Sequence, residues 1–373
     1  MKFTINKDEF LKGLLQVGKI IPTKAIYPTL TNVKIELNDA GLVLTGSDGQ
    51  ISIQSTIPFF IDDKEIIRDV EKGSILVDNH IITEIVRRVD GKEISFVALE
   101  DSIVEIDNEK SSFKLNSIRG EEYQDIDFDE NGVKVTVSAK QLLEAVNQVS
   151  FAACIKSTRQ VLTAINMTSD SSHISFVATD SARLAEKDIE ASTTERFSAN
   201  IPAKSFIELT KSITNEEDVV MFISDKKALF QLNHTLMTTT LTGGDYPNTK
   251  NIIPKSFQYT LEVNAFEFLN AMDRVAILSG EKQNVVKISM TENKVVVSCR
   301  SSQLGSAEES IKLFKYNGDS LEISVNNEFV SSAIKALNCE DVSLNFNGAM
   351  KSFTISNKND PNIIQLLTPI RTY

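Results

Sequence analysis

Histidine and cysteine are the side chains that most often bind metals or supply nucleophiles and proton carriers, so their spacing tests for catalysis. The chain of 373 residues contains three of each, namely His80, His173, His234, Cys154, Cys299 and Cys339. The histidines are far apart in sequence, with no carboxylate or cysteine at a metal-ligand spacing. The cysteines form no CxxC pair, which favours buried thiols over disulfides or a zinc site. We therefore expect no metal centre and no cofactor.

Two aspartates stand at matching places, Asp48 in the segment LTGSD and Asp180 in the segment VATDS. Paired carboxylates could act as general acid and base, but aspartate also forms turns by accepting hydrogen bonds from nearby backbone amides. Arg300 occupies the corresponding place further along, which favours the turn interpretation, although a catalytic residue in one copy alone stays open. The motifs GxxxxGK[ST], GxGxxG, HExxH and GxSxG do not occur in the sequence. The sequence thus predicts a protein that is not an enzyme.

The elements that position these segments are strands that run directly into amphipathic helices, and they recur along the chain. One set reads FTINKDEFLKGLLQVGKI from Phe3, VTVSAKQLLEAVNQVSFA from Val135 and YTLEVNAFEFLNAMDRVAIL from Tyr259. A second set contains Val77, Ile201 and Val325 at matching places, 124 residues apart. One period of about 125 residues therefore fills the chain three times, with two strand-to-helix units in each period.

The repeat predicts three domains, at residues 1–125, 130–250 and 255–373. Each holds two helices and about six further strands with short connections, which is typical of an α+β fold with both helices on one face of antiparallel sheet. Domains of one fold in a row can cover their exposed strands by meeting edge to edge, and this rule continued around a circle gives a closed ring. The apolar C-terminal strand, with Pro369 near its end, is expected at a sheet edge.

The net charge of −12 would argue against a nucleic-acid partner, but its distribution does not. The six predicted helical stretches hold more Lys and Arg than Asp and Glu, so the strands and loops carry the acidic excess. This pattern predicts helices gathered on a surface that faces a polyanion, although the helix propensity of Lys and Arg is an alternative explanation. No apolar run is long enough to span a membrane, and the N-terminus MKFTINKDEF lacks the apolar core of a signal peptide, so we expect a cytoplasmic protein without a membrane partner.

Several segments resemble the bacterial sliding clamp family, the beta subunit of DNA polymerase III: MKFTI, LTGSD, VATDSARLA, GDYPNTKNIIP, VNNEFVSSAIKAL and LLTPIRTY. The resemblance covers all 373 residues. It implies a head-to-tail homodimer of three-domain chains, a six-domain ring whose helices surround duplex DNA without reading its sequence. It also implies partners that dock on the ring: the replicative DNA polymerase, the clamp loader, repair polymerases and mismatch-repair proteins.

In this family a cleft between domains 2 and 3 accepts short, partly apolar peptides, of which a Gln followed by Leu and Phe is one kind. The matching positions here are Arg159, Val161, Leu162, Thr179, Ser181, Ala182, Arg183, Leu184, Pro247, Ile252, Asn326, Phe329, Leu366, Thr368, Pro369, Ile370 and Arg371. The family often has Gly-His in place of Ser181 and Ala182 and an aromatic residue in place of Val161. These differences are expected to change the depth and preference of the cleft.

The resemblance also implies residues for the ring joint and for DNA. Phe113 and Leu115 match one side of the joint, and Ile277 and Leu278 match the other. Lys24 and Lys156 match positions at the central hole, and Lys204 and Lys211 are added from their place on a predicted helix. One alternative stays open, namely an acidic three-domain scaffold that binds peptides but does not encircle DNA.

Overall fold

The computed structural model describes residues 1–99, 102–108, 110–170, 172–191, 193, 195–213, 218–280 and 284–371. Thr372 and Tyr373, the end of the predicted third domain, lie outside these residues. The chain divides into two compact units. Unit 1 is formed by Met1–Ala139 and Glu208–Leu241, and unit 2 by Lys140–Ile207 and Thr242–Tyr373.

Helices and strands follow the predicted three-fold repeat. The first repeat contains β1 (Lys2–Asn6), α1 (Lys7–Gly18), β2 (Asn32–Asn38), β3 (Gly41–Ser47), β4 (Ile51–Ile57), β5 (Phe60–Ile61), β6 (Lys64–Glu65), β7 (Ile67–Glu71), β8 (Gly73–Asp78), α2 (Asn79–Arg88), β9 (Glu93–Leu99), β10 (Ile103–Asp107) and β11 (Ser112–Arg119). The second contains β12 (Val133–Ser138), α3 (Ala139–Val149), β13 (Ala164–Ser169), β14 (His173–Thr179), β15 (Arg183–Glu190), β16 (Ser198–Pro202), α4 (Ala203–Thr210), β17 (Asp218–Ile223), β18 (Lys227–Leu232) and β19 (Thr235–Thr240). The third contains β20 (Tyr259–Asn264), α5 (Ala265–Ala276), β21 (Val285–Thr291), β22 (Lys294–Ser301), β23 (Gly305–Ile311), β24 (Phe314–Asn317), β25 (Leu321–Asn326), α6 (Asn327–Leu337), β26 (Asp341–Phe346), β27 (Phe353–Asn357) and β28 (Asp360–Leu367).

The helices begin where the sequence places a polar residue at the end of a strand. Asn6 and Asn264 accept hydrogen bonds from the first free amides of α1 and α5, and Asp78 and Asn326 do the same for α2 and α6. Such capping satisfies backbone donors that the helix itself leaves unpaired. Each strand therefore passes into its helix without an intervening loop, and the α+β class is confirmed.

Both units have cores built from strand and helix faces. In unit 1, Phe3 of β1 stacks on Phe96 of β9 at 4.7 Å between ring centroids, and Phe10 of α1 meets Phe3 edge-on at 6.1 Å. In unit 2, α5 and α6 bury Phe268 and Ile334 in a cluster that includes the stacked rings of Phe346 and Phe353. None of the described helices is long and apolar enough to cross a membrane.

Antiparallel sheets join neighbouring repeats inside each unit. The unit 1 sheet has the order β12-β17-β18-β19-β4-β3-β2-β8-β11-β10-β9-β1-β7, so β19 of the second repeat pairs with β4 of the first. Unit 2 has a nine-stranded sheet, β16-β13-β14-β15-β28-β27-β26-β20-β24, and a four-stranded sheet, β23-β22-β21-β25. Here β15 of the second repeat pairs with β28 of the third.

The C-terminal strand is not at a sheet edge, and that expectation is wrong. β28 lies between β27 and β15, because the second repeat supplies the strand that covers its outer side. Pro369 comes after Leu367, the last residue of β28, so its missing N–H leaves the strand pairing intact.

Candidate functional site

An apolar cluster lies on the β15–β28 pair of unit 2. Leu184 of β15 stands opposite Leu366 of β28, and Val177 of β14 completes a buried group. Tyr246 and Ile253 pack against this group from the loop that follows the second repeat. We call this cluster and the predicted residues around it the cleft.

Tyr246 attaches that loop to the sheet. Its buried hydroxyl accepts a hydrogen bond from the Thr179 amide at 3.0 Å, and burial raises the pKa of the phenol. The ring therefore remains a neutral, fixed wall at physiological pH. Neither Tyr246 nor Val177 nor Ile253 was predicted. Tyr246 belongs to the GDYP segment and Val177 to the VATDS segment, but the directions of their side chains depend on tertiary structure.

The VATDS turn is held by its own side chains. Asp180 Oδ1 accepts hydrogen bonds from the amides of Ala182 and Arg183, both at 2.9 Å, as a turn-forming aspartate does. Thr179 Oγ1 donates to the Arg183 carbonyl at 2.7 Å and accepts from the Ser181 amide at 3.1 Å. The corresponding Asp48 accepts from the Gln50 and Ile51 amides, so the turn interpretation of both aspartates is confirmed.

Ser181 has a φ of 78°, a left-handed conformation that glycine adopts more readily than serine. This backbone conformation explains why members of the family often have glycine at this position. We expect Ser181→Gly to raise the free energy of unfolding by up to about 1 kcal/mol, measured by urea denaturation. Ser175→Gly, in the extended backbone of β14, is the matched control and should lower it. Destabilisation by Ser181→Gly would show that the turn is not strained.

Arg183 is fixed in place from three sides. Its Nε donates to Asp180 Oδ2 at 2.9 Å, and both side chains are about 15% exposed. The guanidinium lies over the ring of Phe329 at 4.3 Å and near that of Phe151 at 5.5 Å. Within the described residues, the terminal guanidinium nitrogens donate no hydrogen bond to the protein. A preorganised cation with free donors suits the carbonyl groups of an extended peptide.

A short 3₁₀ helix, Gln160–Thr163, contains two more of the predicted cleft residues and follows a third. Val161 and Leu162 are buried, whereas Arg159 at its start is exposed. The Leu162 carbonyl accepts a hydrogen bond from the Cys154 amide at 2.8 Å, which ties the helix to the preceding loop. Asn326 caps α6 by accepting from the Phe329 amide, and this places the Phe329 ring beneath Arg183.

The segment after β28 is bound to unit 2 by backbone hydrogen bonds. The amide and hydroxyl of Thr368 both donate to the Ala182 carbonyl at 2.9 Å, and the Ile370 amide donates to the Ser324 carbonyl at 2.8 Å. Pro369 and Ile370 are half-buried, and Arg371 is exposed. This tail thus lies beside the VATDS turn.

Two of the predicted cleft residues, Pro247 and Ile252, lie in the loop that follows the second repeat. Pro247 borders a polar cavity next to the cluster, and Ile252 is 52% exposed. The cluster instead contacts the neighbouring Ile253. The other predicted residues belong to the β15–β28 pair, the turn, the 3₁₀ helix, the start of α6 or the tail. Their role in binding stays a prediction.

The β4–β19 pair of unit 1 is the counterpart of β15–β28, but its surface is polar. Ser52 stands opposite Thr238 there, as Leu184 stands opposite Leu366. The repeat aligns Thr45, Ser47, Ser52 and Thr238 with Val177, Thr179, Leu184 and Leu366. Ser52 Oγ donates to Ser47 Oγ at 2.8 Å, and Gln124 Nε2 donates to the same oxygen at 3.3 Å. On the matching face of these two strand pairs, leucines stand opposite each other only in unit 2, although Leu30, Leu76 and Tyr123 form an apolar cluster nearby in unit 1.

Comparison with known proteins decides the family. Three family models match in order: the N-terminal domain of the DNA polymerase III beta subunit at residues 1–127, its central domain at 136–248 and its C-terminal domain at 250–371. The beta sliding clamp of Staphylococcus aureus (strain Mu50) is 32% identical over 376 residues, covering 100% of both chains. The chain belongs to the DNA polymerase III beta subunit family of bacterial sliding clamps. Its members are processivity factors of DNA replication without a catalytic activity.

Solved sliding clamps have the same fold. The DNA polymerase sliding clamp of Bacillus subtilis superposes with a TM-score of 0.96 at 33% identity, covering 100% of both chains. The beta subunit from Streptococcus pyogenes does so with a TM-score of 0.94 at 28% identity, again over 100% of both chains. The family models support three domains, while the exact domain limits stay a prediction. Among the residues that the structure describes, no group of three or more His, Cys, Asp or Glu could hold a metal ion.

The predicted DNA-facing lysines of this sliding clamp lie in helices or beside them. Lys24 and Lys156 are 132 residues apart, are both exposed, and each precede a 3₁₀ helix. In the described part of the chain neither forms an ion pair. Lys204 is exposed on α4, and Lys211 pairs with Glu208 at 2.8 Å. Lys24 and Lys156 are therefore the better candidates for phosphate contacts.

The predicted joint residues lie beside unpaired strand edges. Phe113 and Leu115 are half-buried on β11 in unit 1, and Ile277, just after α5 in unit 2, is 74% exposed. Among the described strands, β23 has a neighbour on one side only, and residues 112–116 of β11 pair only with β10. Both edges are free to pair with another chain.

Proposed function

We propose that two copies of this sliding clamp join head to tail into a six-domain ring, encircle duplex DNA, and tether the replicative polymerase for processive synthesis. The unpaired edges of β11 and β23 carry the proposal. In the repeat, β11 corresponds to β19, which pairs with β4 in unit 1. Likewise β23 corresponds to β15, which pairs with β28 in unit 2. The same pairing between two chains covers both edges and closes the ring. Such a ring acts on chromosomal DNA, and therefore in the cytoplasm.

The repeat also predicts the register of the joint. Arg183 stands opposite Leu367 in unit 2, and Ile51 stands opposite Thr239 in unit 1. The buried residues Phe176 and Val297 align β14 with β22, which puts Arg300, opposite Ser306, at the place of Thr179, opposite Leu184, one residue from the place expected from the sequence. The equivalent pair at the joint is therefore Gly305 with Leu115, which places Ser306 opposite Lys114. The β23 edge carries Glu308 and Glu309, and the free edge of β11 carries Lys114, so the two edges have opposite charge. Opposite charges support antiparallel pairing of these strands.

The ring binds DNA without recognising its base sequence. Lys24 and Lys156 attract phosphates, and a contact that is electrostatic and sequence-independent allows sliding. The acidic charge of the rest of the chain opposes binding of DNA elsewhere on the ring.

The cleft recruits the partners. Leu184 and Leu366 accept apolar side chains, and Arg183 donates to the peptide backbone. The replicative polymerase, the clamp loader, repair polymerases and mismatch-repair proteins compete for it through short peptides, of which a Gln followed by Leu and Phe is the model.

Retention on circular DNA tests the ring. Protein loaded onto a nicked circle with a bacterial clamp loader and ATP should co-elute with the DNA on gel filtration, and linearisation should release it, because a ring slides off ends. Protein that binds the peptide but is never retained on circles would instead support the alternative of an acidic peptide-binding scaffold.

The same assay tests the lysines. Lys24→Glu with Lys156→Glu should shorten retention while the dimer persists. The slope of log affinity against log salt should fall by about 0.9 for each phosphate that the variant no longer neutralises. Lys64→Glu with Lys226→Glu, two exposed lysines outside the helices, makes the same charge change and should leave the slope unchanged. Equal slopes for both pairs would show that Lys24 and Lys156 do not face the DNA.

A further inference from the structure

A polar cavity of about 770 Å³ lies next to the cleft on unit 2. Strands β13 to β16 form its floor, and the loop at residues 245–250 forms its rim. Val177 and Tyr246 border both the cavity and the apolar cluster. A chain bound in the cleft can therefore continue into the cavity.

The exposed face of β15 changes character along this path. Leu184, Glu186 and Asp188 point to the same face, because alternate residues of a strand share a side. At about 3.3 Å per residue, Glu186 lies about 7 Å beyond Leu184. An extended peptide covers the same distance in about two residues. The wall is thus apolar at the cleft and acidic two residues further on.

Glu186 has a buried, unpartnered carboxylate oxygen among the described residues that line the cavity. Its Oε2 atom is buried and forms no hydrogen bond with a described residue. Burial raises the pKa of this carboxyl, the charge of Asp188 adds to the effect, and Lys250 opposes it. A buried carboxylate oxygen without a donor is costly, and a cation that donates to it removes this cost.

The other ionisable groups leave the cavity acidic. Asp170, Asp188 and Asp245 line it with Glu186, against Arg196 and Lys250. His173 also lines it and hydrogen-bonds to the Ser172 hydroxyl. The lining therefore attracts positive charge.

We propose that this cavity receives a lysine or arginine side chain of the partner peptide whose apolar end occupies the cleft, with Glu186 accepting its hydrogen bond. The inference rests on the proposed peptide-binding function and adds a specificity determinant to it. Partners that carry a basic residue about two positions beyond their apolar anchor bind more tightly than those that do not.

A peptide series tests the proposal on the full-length protein. Labelled peptides with a Gln followed by Leu and Phe are extended beyond the Phe by three residues, with one Lys at the first, second or third place and Ala or Glu in matched peptides. Fluorescence anisotropy should give about tenfold tighter binding for the best Lys peptide than for its Ala match, and weaker binding for Glu. Glu186→Gln should abolish the difference. Glu190→Gln, an exposed acid on the same strand outside the cavity, should preserve it.

The outcomes distinguish a failure of the cavity proposal from a failure of the proposed cleft. Failure of every peptide to bind would overturn the proposed cleft, and the cavity proposal with it. Equal affinities of the Lys, Ala and Glu peptides would leave the cleft standing and overturn the role of Glu186. Equal weakening of the Ala and Lys peptides by Glu186→Gln would also overturn it, because that pattern indicates a structural role only.

Discussion

Replacing Ile277 and Leu278 together with alanine is expected to convert the dimer into monomers. Ile277 is 74% exposed in the single chain, and burial of a large apolar side chain contributes about 1.5 to 3 kcal/mol. Closing the ring forms two joints, so the loss acts twice. Gel filtration with multi-angle light scattering at micromolar concentration measures the mass.

Exposed apolar residues away from the joint provide the control. Met350 is 59% exposed and Val70 is 48% exposed, and their replacement with alanine should leave the dimer intact. If the variant with alanine at both Ile277 and Leu278 stays dimeric at micromolar concentration, the assignment of the joint is wrong.

A cysteine pair checks the register of the same joint without weakening it. Lys114→Cys with Ser306→Cys should form a disulfide between chains on mild oxidation, because the two residues stand opposite each other in the proposed strand pair. Lys114→Cys with Glu308→Cys, two residues out of register, should cross-link poorly. Efficient linking of the second pair alone would show a different register.

Deleting residues 369–373 is expected to weaken binding of the Gln-Leu-Phe peptide by about thirtyfold or more. The deletion removes Pro369 and Ile370, which are half-buried beside the VATDS turn, and removal of a binding anchor costs about 2 kcal/mol or more. Folding should persist because β28 ends at Leu367 and keeps its pairing with β15 and β27. Titration of labelled peptide at equal dimer content measures the change.

A point variant keeps this test decisive if the shortened chain folds poorly. Ile252→Glu places a charge at a residue that is 52% exposed, so it should reduce peptide affinity without affecting the thermal unfolding midpoint. Leu313→Glu, at a residue that is 72% exposed beside β24, should leave affinity unchanged, because β20, β26 and β27 separate β24 from β28 in the sheet. If both the deletion and Ile252→Glu bind peptide as wild type does, the peptide site is elsewhere.

Sequence periodicity predicted the helices well because their signals are local. Asn6 and Asn264 were identified as the ends of strands, and both cap the helices that follow. A cap and an apolar stripe need only the residues of one turn or one face. The three-fold repeat then followed from comparing these local signals along the chain.

Strand neighbours could not be predicted in the same way. Alternation shows which face of a strand is buried but not which strand lies beside it. The edge position expected for the C-terminal strand was wrong for this reason, since β15 covers it. The setting of Arg183 was also unpredictable, because Phe329 is remote in sequence and meets it only through the fold.

The hydroxyl side chains on the β4–β19 pair limit the number of partner-binding sites on the proposed dimer. Because Ser52 and Thr238 stand there in place of the leucines of unit 2, the proposed dimer has two equivalent partner sites instead of four. If the cleft recruits partners as proposed, a polymerase bound at one site leaves the second site of the dimer free for a repair enzyme. On the proposed ring, exchange at a blocked primer would need only a shift of the primer end between two bound proteins, and a third protein would bind only after one of them dissociates.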